Sequence, residues 1–386
     1  MIGFWNVFTD EIKNLINAPF RLLMYVGLPM FLFFLYASIF GDGALRDIPV
    51  VLQDQDKSAL SRELVRQLNA NSTIEFVSDV NNEQEAMHQI RTGKAFAWIS
   101  IPENFERDIQ RGQGVNVILN YNGDYITPGG LLYKAFNQTL STFSASAKVN
   151  VLMKKGQSIQ QAKLAANPVT LDQHTLFNPS LNYTYYLCLS LFPMALQMCV
   201  MVVTIFILGS ILKYNKGKEI YKRGGNAWNV YWGKVLPYTL LYFLVATVMI
   251  TYLFGYQQIP INCPISYVYI ITFLFIIVTQ LMALFFVSIA SDFRTLCTIG
   301  GGYAALAFSF SGYTFPSIGM PLGIQIMDMV FPFSSYARMF TDLSVKGMPL
   351  FTNVNYLIGF SIFALIGLFS LPKFGVKLQK GHYEKD

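Results

Sequence analysis

Apolar stretches of roughly 18 to 25 residues, the length that crosses the hydrocarbon of a bilayer as a helix, recur along this chain. They cover residues 20–40, 187–212, 235–254, 265–290, 295–315 and 356–371, which predicts six transmembrane helices, unevenly spaced. A long polar region, residues 41–180, separates the first from the second. Its pattern alternates between two periods. IPVVLQD, IEFVS, KAFAWISIP and VNVILNYNG read as strands, whereas DKSALSRELVRQL, capped by Asp56 or Ser58, and NNEQEAMHQIRTG read as helices. The expectation is a separate α/β domain, closed by a helical stretch over 130–167 that Gly156 interrupts.

Ahead of the first apolar run, Phe4, Phe8, Ile12, Leu15 and Ile16 fall on one helical face, and Asp10, Lys13 and Asn14 on the other. Residues 1–19 therefore read as an amphipathic elbow helix lying in the membrane interface. Pro19 breaks it where the chain must turn into the bilayer, next to Arg21. A frayed first span is the alternative. A signal peptide fits less well, because Asp10 and Glu11 precede the run and no small-x-small site follows it.

Composition agrees with the patterning: 53% of the 386 residues are hydrophobic, 13% are charged, and mean hydropathy is +0.40. The net charge of +6 comes from basic residues beside the apolar runs, which suits positive-inside anchoring rather than nucleic-acid binding. Lys213, Lys216, Lys218, Lys222, Arg223 and Lys234 crowd the second-to-third connection, and Lys373, Lys377, Lys380 and Lys385 the tail. Both sides then face the cytoplasm, with both termini inside and residues 41–180 outside.

Enzymatic and metal chemistry find no foothold in the pattern. No GxxxxGK[ST] loop is present, and RTGKAF and NKGKEI lack its spacing, so the chain is read as no enzyme. His88, His174 and His382 pair with no ligand at metal spacing, and Cys188, Cys199, Cys263 and Cys297 form no disulfide framework. Asp54 and Asp56 resemble a carboxylate pair, but a strand end running into a helix cap explains both. The spans also lack a buried acid or base for proton coupling. They carry instead Gln197, Gln280, Gly300, Gly301 and Gly302, suited to helix packing or to lining a polar path. The charged core from Glu219 to Arg223, within the loop 213–234, reads either as a surface for a soluble motor or as a positive-inside loop with aromatic anchors.

The order of in-plane helix, one span, large outside domain and five further spans resembles the ABC-2 type permease, the membrane subunit of type V ABC exporters. The resemblance covers essentially the whole chain. It rests on IPVVLQDQDKSALSRELVRQL, AFAWISIPENFERDIQRG and, most specifically, SGYTFPSIGMPLGIQIMDMVFPFSSYARMF. In the loop, Glu219, Gly224 and Gly233-Lys234 keep the family pattern, while its Thr is missing. The resemblance implies motor coupling through Glu219, Tyr221, Lys222 and Arg223, beside the elbow residues Phe4, Phe8, Ile12 and Arg21. Re-entrant half-helices over 313–336, broken at Gly312, Pro316, Pro321 and Pro332, would form an outer gate, since freed backbone groups must be buried in protein or meet water. A surface loop is the alternative.

The implied partners are a separate ATPase subunit carrying ATP and magnesium, a second copy or a related permease, and the lipid bilayer, with a periplasmic adaptor left open. The chain itself would hold no cofactor. The expected function is export of an amphipathic or lipid-like compound or drug across the bacterial inner membrane. The alternative is a membrane-anchored scaffold or receptor whose α/β domain binds an outside partner without transport.

Overall fold

The computed structural model describes residues 2–39, 41, 43, 45–166, 176–178, 182–313 and 319–383. The chain is mostly helical. It divides into two compact units, residues 1–43 with 181–386, and residues 44–180. It begins with helix α1 (Ile2–Ile16) and, after a break at Asn17 and Ala18, α2 (Pro19–Ile39). Proline suits the first position of α2, where its missing N–H would find no helical partner in any case.

The second unit runs β1 (Ile48–Asp54), α3 (Ala59–Asn69), β2 (Ile74–Asp79), α4 (Glu83–Arg91), β3 (Ala97–Ile101), α5 (Phe105–Gln110), β4 (Ile118–Tyr121), α6 (Ile126–Lys154) and α7 (Ile159–Ala166). The sheet order is β2-β1-β3-β4, with β1 parallel to both neighbours and β4 antiparallel to β3. Central β1 is covered on both faces, which is why IPVVLQD lacks a clean alternation. Val50, Leu64, Leu68, Ile99, Ile101 and Phe136 pack on one side. Val51, Val80, Ala86 and Trp98 pack on the other.

Ser58, rather than Asp56, caps α3, accepting from Ser61 N at 3.0 Å. Asp54 takes the N–H groups of Asp56 and Lys57 at 3.1 and 3.0 Å and the Ser61 hydroxyl at 2.7 Å. Asp56 accepts from Glu106 N at 3.1 Å, so the two carboxylates fasten a turn to its neighbours. Gly156, at φ +88°, separates α6 from α7.

The membrane unit continues with α8 (Tyr183–Lys213), α9 (Gly217–Gly224), α10 (Ala227–Thr251), which extends as a π-helical turn over Tyr252–Tyr256, α11 (Ile265–Ile289) and α12 (Phe293–Phe310). Then come α13 (Leu322–Asp328), α14 (Pro332–Ser344), α15 (Val354–Phe369) and α16 (Leu371–Lys380). Among the described residues five helical stretches are long and apolar enough to span a membrane: α2, α8, α10 with its extension, α11, and the stretch holding α15 and α16. The chain is a multi-pass membrane protein. The expected fifth span, α12, is 18 residues long but falls outside that set, because Arg294, two threonines and three consecutive glycines dilute its apolar side chains. Helix α11 forms the centre, packed by α8, α10, α14 and α15.

One boundary differs from the sequence reading. The loop drawn over 213–234 closes at Asn226, whose side chain accepts from Asn229 N at 2.7 Å and starts α10 eight residues early. Only residues 214–226 connect the two long helices, and α9 occupies most of them.

Candidate functional site

At one end of the membrane unit α1 lies in a groove formed by α9 and α10. A line of residues one turn apart faces the groove: Gly3, Val7 and Glu11, the last two buried. At Gly3 the backbones touch so closely that an added Cβ would stand 2.3 Å from the Gly224 carbonyl oxygen. Glu11, 5% exposed, is paired with Lys234 of α10 and accepts the Tyr238 hydroxyl at 2.7 Å. At the rim, Arg223 binds Asp10 of α1 at 2.8 Å and Glu219 of its own helix at 2.9 Å.

The structure thus brings the elbow and coupling helices together, with Gly3, Asp10 and Glu11 of α1 making the close approach and the ion pairs. Glu219, Lys222 and Arg223 stand on the exposed face of α9, while Tyr221 is half-buried against the core. Phe4 and Phe8 stack with ring centroids 5.7 Å apart and, with Ile12, flank the buried line instead of forming it. Arg21 is exposed at the start of α2. Sequence reasoning missed Glu11, Lys234 and Tyr238 as a unit. The available signal was an acid at helical spacing from Val7 on the apolar side of α1.

The floor of α9 rests on α16. A Cβ at Gly217 would stand 2.8 Å from the Leu378 carbonyl oxygen. The neighbouring Lys377, 8% exposed, donates to the carbonyls of Val287, at 3.2 Å, and Ala290, thereby closing the end of α11. The tail predicted as a basic extension is therefore partly an internal brace.

The segment between α12 and α15 is split. Gly312, at φ +85°, turns the chain out of α12. Pro316 lies outside the described residues. Pro321 precedes α13 and Pro332 opens α14, so both stand at helix starts. Helix α14 is inside, with Tyr336 stacked on Phe275 at 4.1 Å and bonded to Thr272 at 2.9 Å. Helix α13 is outside, with Leu322, Ile326 and Met327 exposed. Buried Asp328 at its end pairs with Arg338 of α14. Sequence reasoning broke the segment at Pro321 and Pro332 but gave both pieces the same burial.

The remaining predicted residues divide as well. Gln197 and Gln280 are buried within the subunit, and Gln280 accepts the Thr239 hydroxyl at 2.7 Å. Gly300 faces Ile205 of α8. Around Gly301 and Gly302 a Cβ would meet nothing within 4 Å. In the α/β unit, a cleft of about 590 Å³ opens between α5 and α6, walled by Phe105, Val115, Leu140 and Phe143 with Lys148 and Lys155 beside them.

Comparison with known proteins gives a consistent result. The family described as ABC-2 family transporter protein matches residues 20–369. A protein named probable multidrug ABC transporter permease YbhR, from Escherichia coli strain K12, is 21% identical over 343 residues, 88% of each chain. Its namesake from Escherichia coli O157:H7 is similar to the same extent, 21% over 343 residues.

Proposed function

The chain belongs to the ABC-2 family of transporter proteins, and from that premise we propose that it is the permease subunit of an ATP-driven exporter. A separate ATPase subunit binds ATP with magnesium and does the hydrolysis. The observation that carries the coupling part of this reading is the pair of salt bridges from Arg223, one to Asp10 of α1 and one to Glu219 of its own helix. It joins the interfacial helix to the short charged helix, so that a push on the exposed face of α9 moves α1 and α10 with it.

Two permease chains enclose the path, with α12 as the fifth of six spans. Thr295, Thr298, Gly302, Ala305 and Ser309 form an exposed small and polar stripe on α12, bordered by exposed Ile299 and Leu306. Such a face suits contact with a second copy or a wet path. The basic connections put both termini on the cytoplasmic side of the bacterial inner membrane and the α/β unit outside. Gly312, α13 and α14 then lie at the outer end and act as a gate. The cargo is an amphipathic or lipid-like compound, in keeping with the multidrug label of the similar permease.

The test is transport by vesicles holding the permease and its co-purified ATPase. Glu219→Ala with Arg223→Ala should cut export about tenfold while insertion and melting stay unchanged, because exposed ion pairs contribute only about 0–1 kcal/mol to stability. Normal export together with unchanged ATPase affinity would place the motor contact elsewhere.

A further inference from the structure

Where α1 turns into α2 and α8 ends, the membrane unit holds a cavity of about 380 Å³. Arg21, Lys216 and Lys234 bring three cations to its wall, and Glu11 brings a carboxylate. Tyr25, Tyr214, Tyr238, Ser210 and Asn14 add hydroxyls and an amide. The carboxylate is already engaged, since Lys234 and the Tyr238 hydroxyl both bind it. Arg21 makes a long contact of 3.4 Å to the Asn14 carbonyl oxygen. Lys216 has no carboxylate partner among the described residues. What remains is a donor-rich wall with two cations in excess, a setting for an anion with several oxygens.

The surroundings say which anion. On α2, above and to one side of Arg21, Met24 is 44% exposed, Leu28 52% and Phe31 62%, a strip rising along a membrane-spanning helix. A ligand using both the cations and this apolar strip carries a phosphate on hydrocarbon chains. The cavity has room for a phosphate with its headgroup alcohol, while the chains must lie outside along α2. A zwitterionic headgroup would bring its own cation to a wall that already holds two in excess.

We propose that this cavity binds the phosphate headgroup of an anionic phospholipid, with the acyl chains lying along α2. The site is independent of what the permease exports.

The test is native mass spectrometry of the purified full-length permease with equal phosphatidylglycerol and phosphatidylcholine, beside inorganic phosphate. Wild type should retain phosphatidylglycerol about tenfold over phosphatidylcholine. Arg21→Gln with Lys216→Gln should bring the ratio near parity. The charge-keeping pair Arg21→Lys with Lys216→Arg should hold most of it, and Arg91→Gln with Lys94→Gln, a remote pair equal in lost charge but belonging to the α/β unit, should leave it unchanged. Equal loss in the remote pair would reduce the effect to net charge and overturn the assignment. Displacement of the lipid by a modest excess of inorganic phosphate would overturn it too, showing a free-phosphate site. Should the Gln pair unfold, loss of selectivity in the well-folded charge-keeping pair would count against a cation site of this geometry.

Discussion

Glu11 and Arg223 both join α1 to its neighbours, but burial gives them different work. Glu11 is 5% exposed and Lys234 is its counter-charge, so removing the cation leaves a buried carboxylate without its ion pair. Lys234→Ala should therefore destabilise the docking of α1 by about 3 kcal/mol or more, read as faster proteolysis or hydrogen exchange of residues 2–16. The exposed Arg223 pairs contribute far less, which is why their loss should show in transport and not in melting. A second residue-scale expectation concerns Asp56. Partial burial raises its pKa, but bonds from the Ser58 side chain and the N–H groups of Glu106, Phe105 and Asn104 outweigh that and hold it below 3.8. A depressed carboxylate contributes stability above its ordinary value and loses it as pH falls through the folded value. Acidification from pH 5 to 3 should loosen β1 and α5, seen in exchange protection corrected for intrinsic rate, and Asp56→Asn should flatten that dependence.

Among the elements, the breaks after α12 are of two kinds. Pro321 and Pro332 stand at helix starts, where proline is already accommodated, so Ala at both should change stability by about 1 kcal/mol or less. Gly312 holds φ +85°, where Leu costs roughly 1–2 kcal/mol of backbone strain. Gly312→Leu should lower both the melting point and export, whereas the double proline variant should export nearly as wild type. A larger proline effect would mean that the segment unwinds and reforms during the cycle. Most elements were legible because their signals are local: Ser58, Asn82 and Asn226 cap helices within three residues of their targets. The loop range 213–234 nevertheless took in the first two turns of α10, because the long apolar run begins only after Lys234. Glu11 was hidden for a different reason, since its burial depends on Lys234, 223 positions away. The break between α13 and α14 was legible at Pro332, but their unequal burial was not, because α14 is covered by α11 and α8, which lie far off in sequence.

For the whole molecule, the decisive question is which face meets a second copy. Single cysteines at Thr298 and Gly302 in a cysteine-free background should cross-link between subunits in native membranes, and one at Ile358, exposed on α15, should not. Cross-linking at Ile358 alone would move the interface. Orientation is open to the same chemistry. Cysteines at Asp124 and Gln258 should react with an impermeant reagent from outside, and those at Asn215 and Gln379 should not.

The seat of α9 on α16 also has a bearing on time. Helix α9 leaves the ribosome long before Leu371–Lys380 is made, yet its Gly217 turn is packed closely on the Leu378 backbone. Until then the charged face has its sequence but no floor, and the end of α11 lacks the Lys377 ammonium on its carbonyls. The surface proposed to meet the ATPase is thus completed late in synthesis, so a half-made permease would present no finished docking site, and capture of the motor would follow membrane insertion and not accompany it.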